Sequence, residues 1–245
     1  MSNDAAASGS SPRDLALHRR AVEAVIWGMP AVNFDLMYQA AVREAKAGVN
    51  QVIYWSRLPD WKIQTLTPNP DAIYLTPFIN TKEVGPMVLE IPPAEGGSIT
   101  GTIMDAATGN SPAMVQRNVG SGSQYLMAAR DASGAFLDGG KNYRLHLPAN
   151  VPVKLFWSIV VYDALSRSEL QNGEKFPSVS QYTGSVANAD GSVDIYFGPQ
   201  APQGKEKNWI RTVPGRGWFS YVRFYSPTEA FFVQTWKPDD IVVMT

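Results

Sequence analysis

From Val49 to the C-terminus, apolar residues recur at every second position in short runs, and Gly, Pro and Asp-Gly pairs cut the runs apart. A two-residue period sends alternate side chains to opposite faces, so these runs read as strands. They are Gln51–Trp55, Ile63–Leu66, Ala72–Phe78, Met87–Ile91, Ser98–Met104, Gln124–Ala129, Asn142–Leu147, Leu155–Tyr162, Val193–Phe197, Trp209–Val213, Trp218–Tyr225 and Ile241–Met244. Asp138-Gly139-Gly140, Asp190-Gly191 and Pro214-Gly215-Arg216-Gly217 supply turn chemistry between them. Many short strands with frequent turns predict a mainly β fold, a β-sandwich or jelly-roll-like arrangement.

Two runs fix how the faces lie. In Asn142–Leu147, Tyr143, Leu145 and Leu147 share one face while Arg144 and His146 share the other, which predicts one buried and one wet side. In Leu155–Asp163 both faces are apolar, with Phe156, Val160 and Tyr162 on one and Trp157, Ile159 and Val161 on the other. That strand belongs in the centre of a sheet, covered on both sides. A slip of one residue in the first run would drive Arg144 and His146 into the core, at a cost of several kcal/mol for an unpaired charge, on the order of the usual burial penalty.

Ahead of the strands the period lengthens. Ser11 suits an N-cap, Pro12 the first helical turn and Asp14 the positive helix end. Leu15, His18, Val22, Val25 and Met29 follow at spacings of three and four. Gly28-Met29-Pro30 interrupts this stripe, and Phe34, Met37, Ala41 and Ala45 resume it up to Gly48. The reading is an N-terminal helical pair. A short helical turn is expected after Ser226-Pro227, at Thr228, Glu229, Phe231 and Phe232. Residues 1–11, small and polar without a basic-then-apolar order, read as a disordered lead-in and not as a signal peptide. Residues 12–105 hold the helical pair and an N-terminal β part, and 106–245 a C-terminal β-sandwich, expected to share one core, with Ala106–Ser123 as the seam.

Composition excludes several classes of function. The chain has 245 residues, no Cys, two His, 21 basic and 22 acidic residues. No thiolate zinc site, disulfide scaffold or cysteine nucleophile is available. The balanced charge gives no field for nucleic acid. No run reaches the roughly 20 apolar residues of a membrane span. The compartment, exported or cytoplasmic, stays open. No cofactor motif occurs: there is no phosphate-cradling loop, G-x-S-x-G, H-E-x-x-H or S-x-x-K.

Four blocks look familiar. They are Thr67-Pro68-Asn69-Pro70-Asp71-Ala72-Ile73-Tyr74-Leu75, Phe156–Asp163, Asp190–Pro199, and Asn208–Gly215 followed by Gly217-Trp218-Phe219. In this order the chain resembles the paired bacterial families of unknown function 1254 (N-terminal part) and 1214 (C-terminal part). The resemblance implies β-rich domains on jelly-roll-like sheets with a helical N-terminal element. It implies no activity, cofactor or catalytic residue. It also implies a longer middle than the passage from Ile99–Asp105 to Ser111–Val115 allows, so the chain reads as a shortened form.

The chemistry-bearing residues admit two readings. Asn69 and Asp71 flank Pro70 in a turn where Asx side chains commonly bond nearby backbone, yet loops positioned by a sheet also carry ligands. Asp163 ends a doubly buried strand and needs a donor, with Arg167 and Arg223 as candidates. Asp105 ends an earlier strand. His146, beside Arg144 on a wet face, is a candidate acid–base group, while His18 on the helical stripe reads as a core or interface histidine. Phe219, Tyr221, Arg223 and Tyr225 share one strand face and Trp218, Ser220, Val222 and Phe224 the other. If the second face is core, an aromatic–Arg row is left for a groove, a partner or solvent, as sugar-like ligands and interfaces favour.

The first functional expectation is therefore a ligand-binding or self-assembling module for a small molecule or glycan. Its contacts are Asn69, Tyr74, Trp157, Tyr221, Arg223 and Tyr225, in a homo-oligomer. The second is a hydrolase or lyase using Asp71, Asp105, Asp163 and His146, with no metal and no cofactor. Carboxyl groups about 5–5.5 or 6.5–9.5 Å apart would support glycoside hydrolysis, and dispersed ones would remove it.

Overall fold

The computed structural model describes residues 11–63, 67–90, 98–103, 113–118, 124–129 and 136–244. The chain divides into two compact units, Met1–Ile53 with Thr76–Leu89 and Gly101–Val115, and Tyr54–Leu75 with Glu90–Thr100 and Gln116–Thr245.

The first unit is dominated by helix α1, Pro12–Glu44. Ser11 caps it as expected: its hydroxyl accepts from the Asp14 backbone N–H while the Asp14 carboxylate accepts from the Ser11 backbone N–H, 3.1 Å each way. The expected pair of helices is one continuous helix with Pro30 inside it. A proline removes one backbone hydrogen bond and crowds the preceding turn, which bends a helix more readily than it ends one when good helix formers continue beyond it. Nor does the apolar stripe bury. Val25, Ile26 and Trp27 are consecutive, so apolar groups point to several sides, and all three are exposed, as is His18. Near the C-terminal end order returns, where Ala41 is buried and Phe34 and Tyr38 each place a ring 5.4 Å from that of Phe78. The helix stops at Ala45, before Gly48, with Lys46 in the left-handed region at φ 56°.

Two short ladders come next in chain order, β1 (Val52–Tyr54) with β2 (Leu75–Pro77), and β3 (Ser98–Ile103) with β4 (Ala113–Asn118). The remaining strands are β5 (Gln124–Ala129), β6 (Leu137–Asp138), β7 (Tyr143–Leu147), β8 (Trp157–Asp163), β9 (Ser178–Ser180), β10 (Val193–Gly198), β11 (Trp209–Arg211), β12 (Gly217–Tyr225) and, after the four-residue helix α2 (Glu229–Phe232), β13 (Val242–Val243). The mainly β expectation therefore holds. Strands β4, β6 and β9 are additions, too short or too polar to show an alternation. At 87–90 no strand forms, while Ile91, Gln64–Leu66 and most of the proposed seam lie outside the described residues.

The second unit contains a sheet ordered β11–β10–β7–β13 and a sheet ordered β5–β12–β8–β9, with β6 also paired to β12. Their inner faces form one apolar cluster. Tyr143, Leu145 and Leu147 of β7 and Ile195 and Phe197 of β10 meet Trp157, Ile159 and Val161 of β8 and Trp218, Val222 and Phe224 of β12. The predicted alternation in β7 is exact to the residue: 143, 145 and 147 are buried, Arg144 is exposed and His146 is half-buried. Strand β8 is central and covered on both faces, as its two-sided apolarity requires. Each large side chain so enclosed contributes about 1.5–3 kcal/mol. Tight turns hold the register. At Gly139, between β6 and β7, any Cβ would run into the Val213 carbonyl, so this position takes only glycine.

Candidate functional site

Strand alternation dictates what lies on the other face of the β12–β8–β9 sheet. Because Trp218, Val222 and Phe224 point into the apolar cluster, Phe219, Tyr221, Arg223 and Tyr225 point away from it. The register sets Arg223 opposite Ser158 and Ser158 opposite Ser180, so these three form one row. Tyr221, Val160 and Ser178 form the next, and Phe219 and Tyr162 the third, which an isolated bridge extends from Tyr162 to Glu169. This outer face is not open. Arg223 is 2% exposed and Glu169 1%, and Ser158 and Ser180 are buried.

The turn read from Thr67–Asp71 covers it. Pro68, Asn69 and Pro70 are buried. Arg223 Nη2 donates to the Thr67 carbonyl at 3.0 Å, and the Tyr162 hydroxyl donates to the Pro68 carbonyl at 2.6 Å. The Asn69 side-chain amide donates to the Tyr225 hydroxyl. Asn69 also accepts from the Asp71 backbone N–H at 3.1 Å, the Asx turn its sequence predicts, while its own backbone N–H donates to the Tyr74 hydroxyl at 2.8 Å. Tyr225 is held from its other side by stacking on Phe156, 4.0 Å between centroids. Thr67 and Arg167 both sit at positive φ, 43° and 61°, and the Thr67 N–H donates to the Arg167 carbonyl at 2.8 Å. Such backbone strain, about 1–3 kcal/mol per residue, persists only where surroundings impose it.

The Arg223 guanidinium lies 5.3 Å from the Tyr162 ring and 5.6 Å from that of Tyr221. Its Nε and Nη1 make no hydrogen bond to a described residue. The same holds for both carboxyl oxygens of Glu169, for Asp71 Oδ2 and for the hydroxyls of Ser158 and Ser178, all of them buried. Burial pushes Glu169 up to about 8, Asp71 and Asp60 add to the rise, and Arg223 opposes it. Burial also raises Asp71, against the nearby hydroxyls of Ser180 and Ser158 and the charge of Arg223; these hydroxyls favour the anion without closing a hydrogen bond on Oδ2. The Tyr74, Tyr162 and Tyr225 hydroxyls are likewise raised by burial, so they stay neutral donors. The cluster thus combines one cation, two carboxyl groups that burial pushes toward their protonated form, and several hydroxyls.

The remaining predicted residues lie elsewhere. Trp157 is buried in the inner apolar cluster and faces away from this group. Asp163 finds neither Arg167 nor Arg223: its Oδ1 caps the backbone N–H groups of Leu165 and Ser166 at 2.9 Å, and its Oδ2 meets Arg216 at 3.4 Å. His146 sits on the wet face of the other sheet, its Nδ1 2.8 Å from Asp194. Burial would raise Asp194, but the bonds from His146 and Asn188, with the charges of His146 and Arg144, outweigh it and hold the carboxyl low. These residues line an open hollow of about 610 Å³ with Asp190, Ser192 and Asp239. Asp105 lies outside the described residues. Among the described residues no group of three or more His, Asp and Glu is placed to hold a metal.

Sequence reasoning missed Glu169, Ser158 and Ser178. Ser158 sits on the face of β8 that was legible for Val160 and Tyr162, whereas Ser178 sits on β9, too short to show an alternation. Glu169 gave no signal, because a single bridge to Tyr162, not a strand, places it.

Comparison with known proteins matches residues 122–229 to the family described as "Protein of unknown function (DUF1214)". Arg223, Glu169, Tyr162, Ser158 and Ser178 fall inside that stretch; the covering turn falls outside it. No curated protein matches the chain. Among solved structures it is similar to the VPA0106 protein of Vibrio parahaemolyticus, 23% identical over 51% of this chain and 31% of that one, TM-score 0.42. An uncharacterised protein of Burkholderia cenocepacia aligns at 18% identity over 51% of this chain and 30% of that one, TM-score 0.37. The chain thus spans less than a third of either neighbour.

Proposed function

We propose that this chain is a ligand-binding module and that the group around Arg223 is its site, taking a small polar molecule or the end residue of a glycan. One observation carries the reading: a buried guanidinium with two unpartnered nitrogens shares its surroundings with unpartnered oxygens of Glu169, Asp71, Ser158 and Ser178. Leaving a buried polar group unpaired costs about 1–3 kcal/mol, so a fold that gathers so many in one place has them matched by something. In this reading Asn69, Tyr74, Tyr221 and Tyr225 surround the ligand together with Arg223, Asp71 joins them as a contact in place of a catalytic group, and Trp157 does not take part. Asp163, His146 and Asp71 belong to three separate surroundings, which weighs against hydrolysis by those carboxylates.

A thermal-shift screen of hexoses, sugar acids, amino sugars, polyols and amino acids tests the reading. A true ligand at 100 times its Kd stabilises the fold by about 2.7 kcal/mol. The shift should be present in the wild type and absent in Arg223→Lys, which keeps the charge but loses the planar fork. If no compound shifts the wild type, or the variant shifts equally, the reading falls.

Self-association is a second reading, supported by the apolar residues that α1 leaves uncovered, with Trp27 74% exposed. Sedimentation should show a dimer or larger species that Trp27→Glu dissociates; a wild-type monomer at high concentration would end it. In the same proposal the N-terminal blocks represent a shortened domain of the 1254 type.

A further inference from the structure

The charge inventory around Arg223 says more than that something polar binds there. Taking the Arg223 site as the ligand site, we infer that it is built for an uncharged, polyhydroxylated ligand, a sugar or polyol, and against the acidic and amino counterparts of the same molecule.

A buried arginine ordinarily suggests an anionic ligand, through paired N–H donors. Here the cation is already answered. Asp71 lies within electrostatic reach of Arg223, and the two aromatic faces of Tyr162 and Tyr221 flank the guanidinium at 5.3 and 5.6 Å. An incoming carboxylate would therefore add a net negative charge to an enclosed site that holds Asp71 and has Asp60 and Glu169 close by. An incoming ammonium would add a net positive charge beside Arg223. Either charge would leave water for surroundings that exclude solvent, which is costly. A hydroxyl-rich neutral molecule meets no such cost. Each of its hydroxyls both donates and accepts, and the unpartnered atoms on offer are of both kinds: Arg223 Nε and Nη1 donate, Asp71 Oδ2 accepts, and the Ser158 and Ser178 hydroxyls do either.

Glu169 completes the match. Enclosed at 1% exposure, with both oxygens unpartnered, it offers a donor and an acceptor together as long as it keeps its proton. The groups facing it are Arg223 from β12, Asp71 and Tyr74 from the covering turn, Tyr162 from β8 and Asp60 from the segment before that turn. The tyrosines stay neutral, so loss of the Glu169 proton adds one negative charge beside two other carboxyl groups and removes one donor. Affinity for a neutral ligand should then fall as pH passes upward through about 8.

Isothermal titration of the wild type with matched series separates the possibilities: glucose, mannose and galactose, each beside its uronic acid and its 2-amino sugar, at pH 6.5 and pH 9. The expected result is binding in at least one series, with the neutral hexose at least tenfold tighter than both charged analogues at pH 6.5. That affinity should drop severalfold at pH 9, and Glu169→Gln should remove the drop. A uronate or amino sugar that binds as tightly as its hexose overturns the charge selection and leaves the binding reading standing. A hexose affinity that is equal at both pH values in the wild type overturns the part given to Glu169, without recourse to a variant. No binding in any series removes this inference; if the wider screen also yields nothing, the binding reading goes with it.

Discussion

The two faces of the β12–β8 pair are built from alternate residues of the same strands, yet they solve burial in opposite ways. Inward, Trp157, Ile159, Val161, Trp218, Val222 and Phe224 exclude water by apolar contact, and the polar atoms without a described partner there are neutral ones, Trp218 Nε1 and the Ser220 hydroxyl. Outward, Ser158, Arg223 and, through its bridge, Glu169 are equally inaccessible but carry hydrogen-bonding capacity that the described residues do not use. The first face is explained by stability. The second adds little stability of its own, since enclosed ionisable groups are costly unless paired, and this makes it the part of the sheet that calls for a functional explanation.

Substitutions can break this contrast, and the largest effect belongs to the inner face. Trp218→Ala should cost about 3–5 kcal/mol in urea unfolding, the range for truncating an enclosed aromatic. A loss under about 1 kcal/mol would mean the two sheets are not packed as described.

On the outer face Arg223→Met should destabilise by about 2–3 kcal/mol, because the Thr67 carbonyl then loses its donor and Asp71 loses the nearby positive charge. Adding Asp71→Asn should recover much of that loss. If the two changes are simply additive, the pair is not coupled.

Glu169→Gln should move stability the other way. The native carboxyl holds its proton up to about 8, whereas the unfolded one releases it near 4.5. Between these values unfolding releases a proton, so the native state loses stability as pH rises and the penalty is complete above pH 8. The variant lacks this penalty. Its stability at pH 8 should exceed that of the wild type by on the order of 4 kcal/mol, with the difference vanishing below pH 4.5. A wild type whose stability does not fall across this window contradicts a buried, protonated Glu169.

The smallest effect is expected at the other sheet. His146→Ala removes a partly exposed pair with Asp194 and should cost under about 1 kcal/mol, with no change in ligand affinity.

How far the sequence reaches follows the same division. Alternation made the inner face legible almost residue by residue, because a period of two is a direct image of the pleat, and it named Tyr221, Arg223 and Tyr225 as partners on the opposite face. The Asx turn at Asn69–Asp71 was also legible, from side chains that bond locally. What covers the outer face was not. Thr67 meets Arg223 from far away in the chain, Glu169 joins by an isolated bridge, and neither long-range contact leaves a period in the sequence. Asp163 was misread for a related reason: its donors are the backbone of the turn it begins and Arg216 on the strand's approach, not the arginines of the sheet face. The helical break at Pro30 failed differently. The rule for proline describes a lost hydrogen bond, and one lost bond does not divide a helix of 33 residues.

The most direct test of the account is a ¹H–¹⁵N spectrum of the arginine Nε–H and tryptophan indole groups during a titration with a neutral hexose that binds. Arg223 Nε on the outer face and Trp218 Nε1 on the inner one are both buried donors with no described partner, so each serves as the other's control. The Arg223 signal should move with saturation while the Trp218 signal holds still. A stationary Arg223 resonance, or a Trp218 resonance that moves as far, would contradict the assignment of the ligand to the outer face.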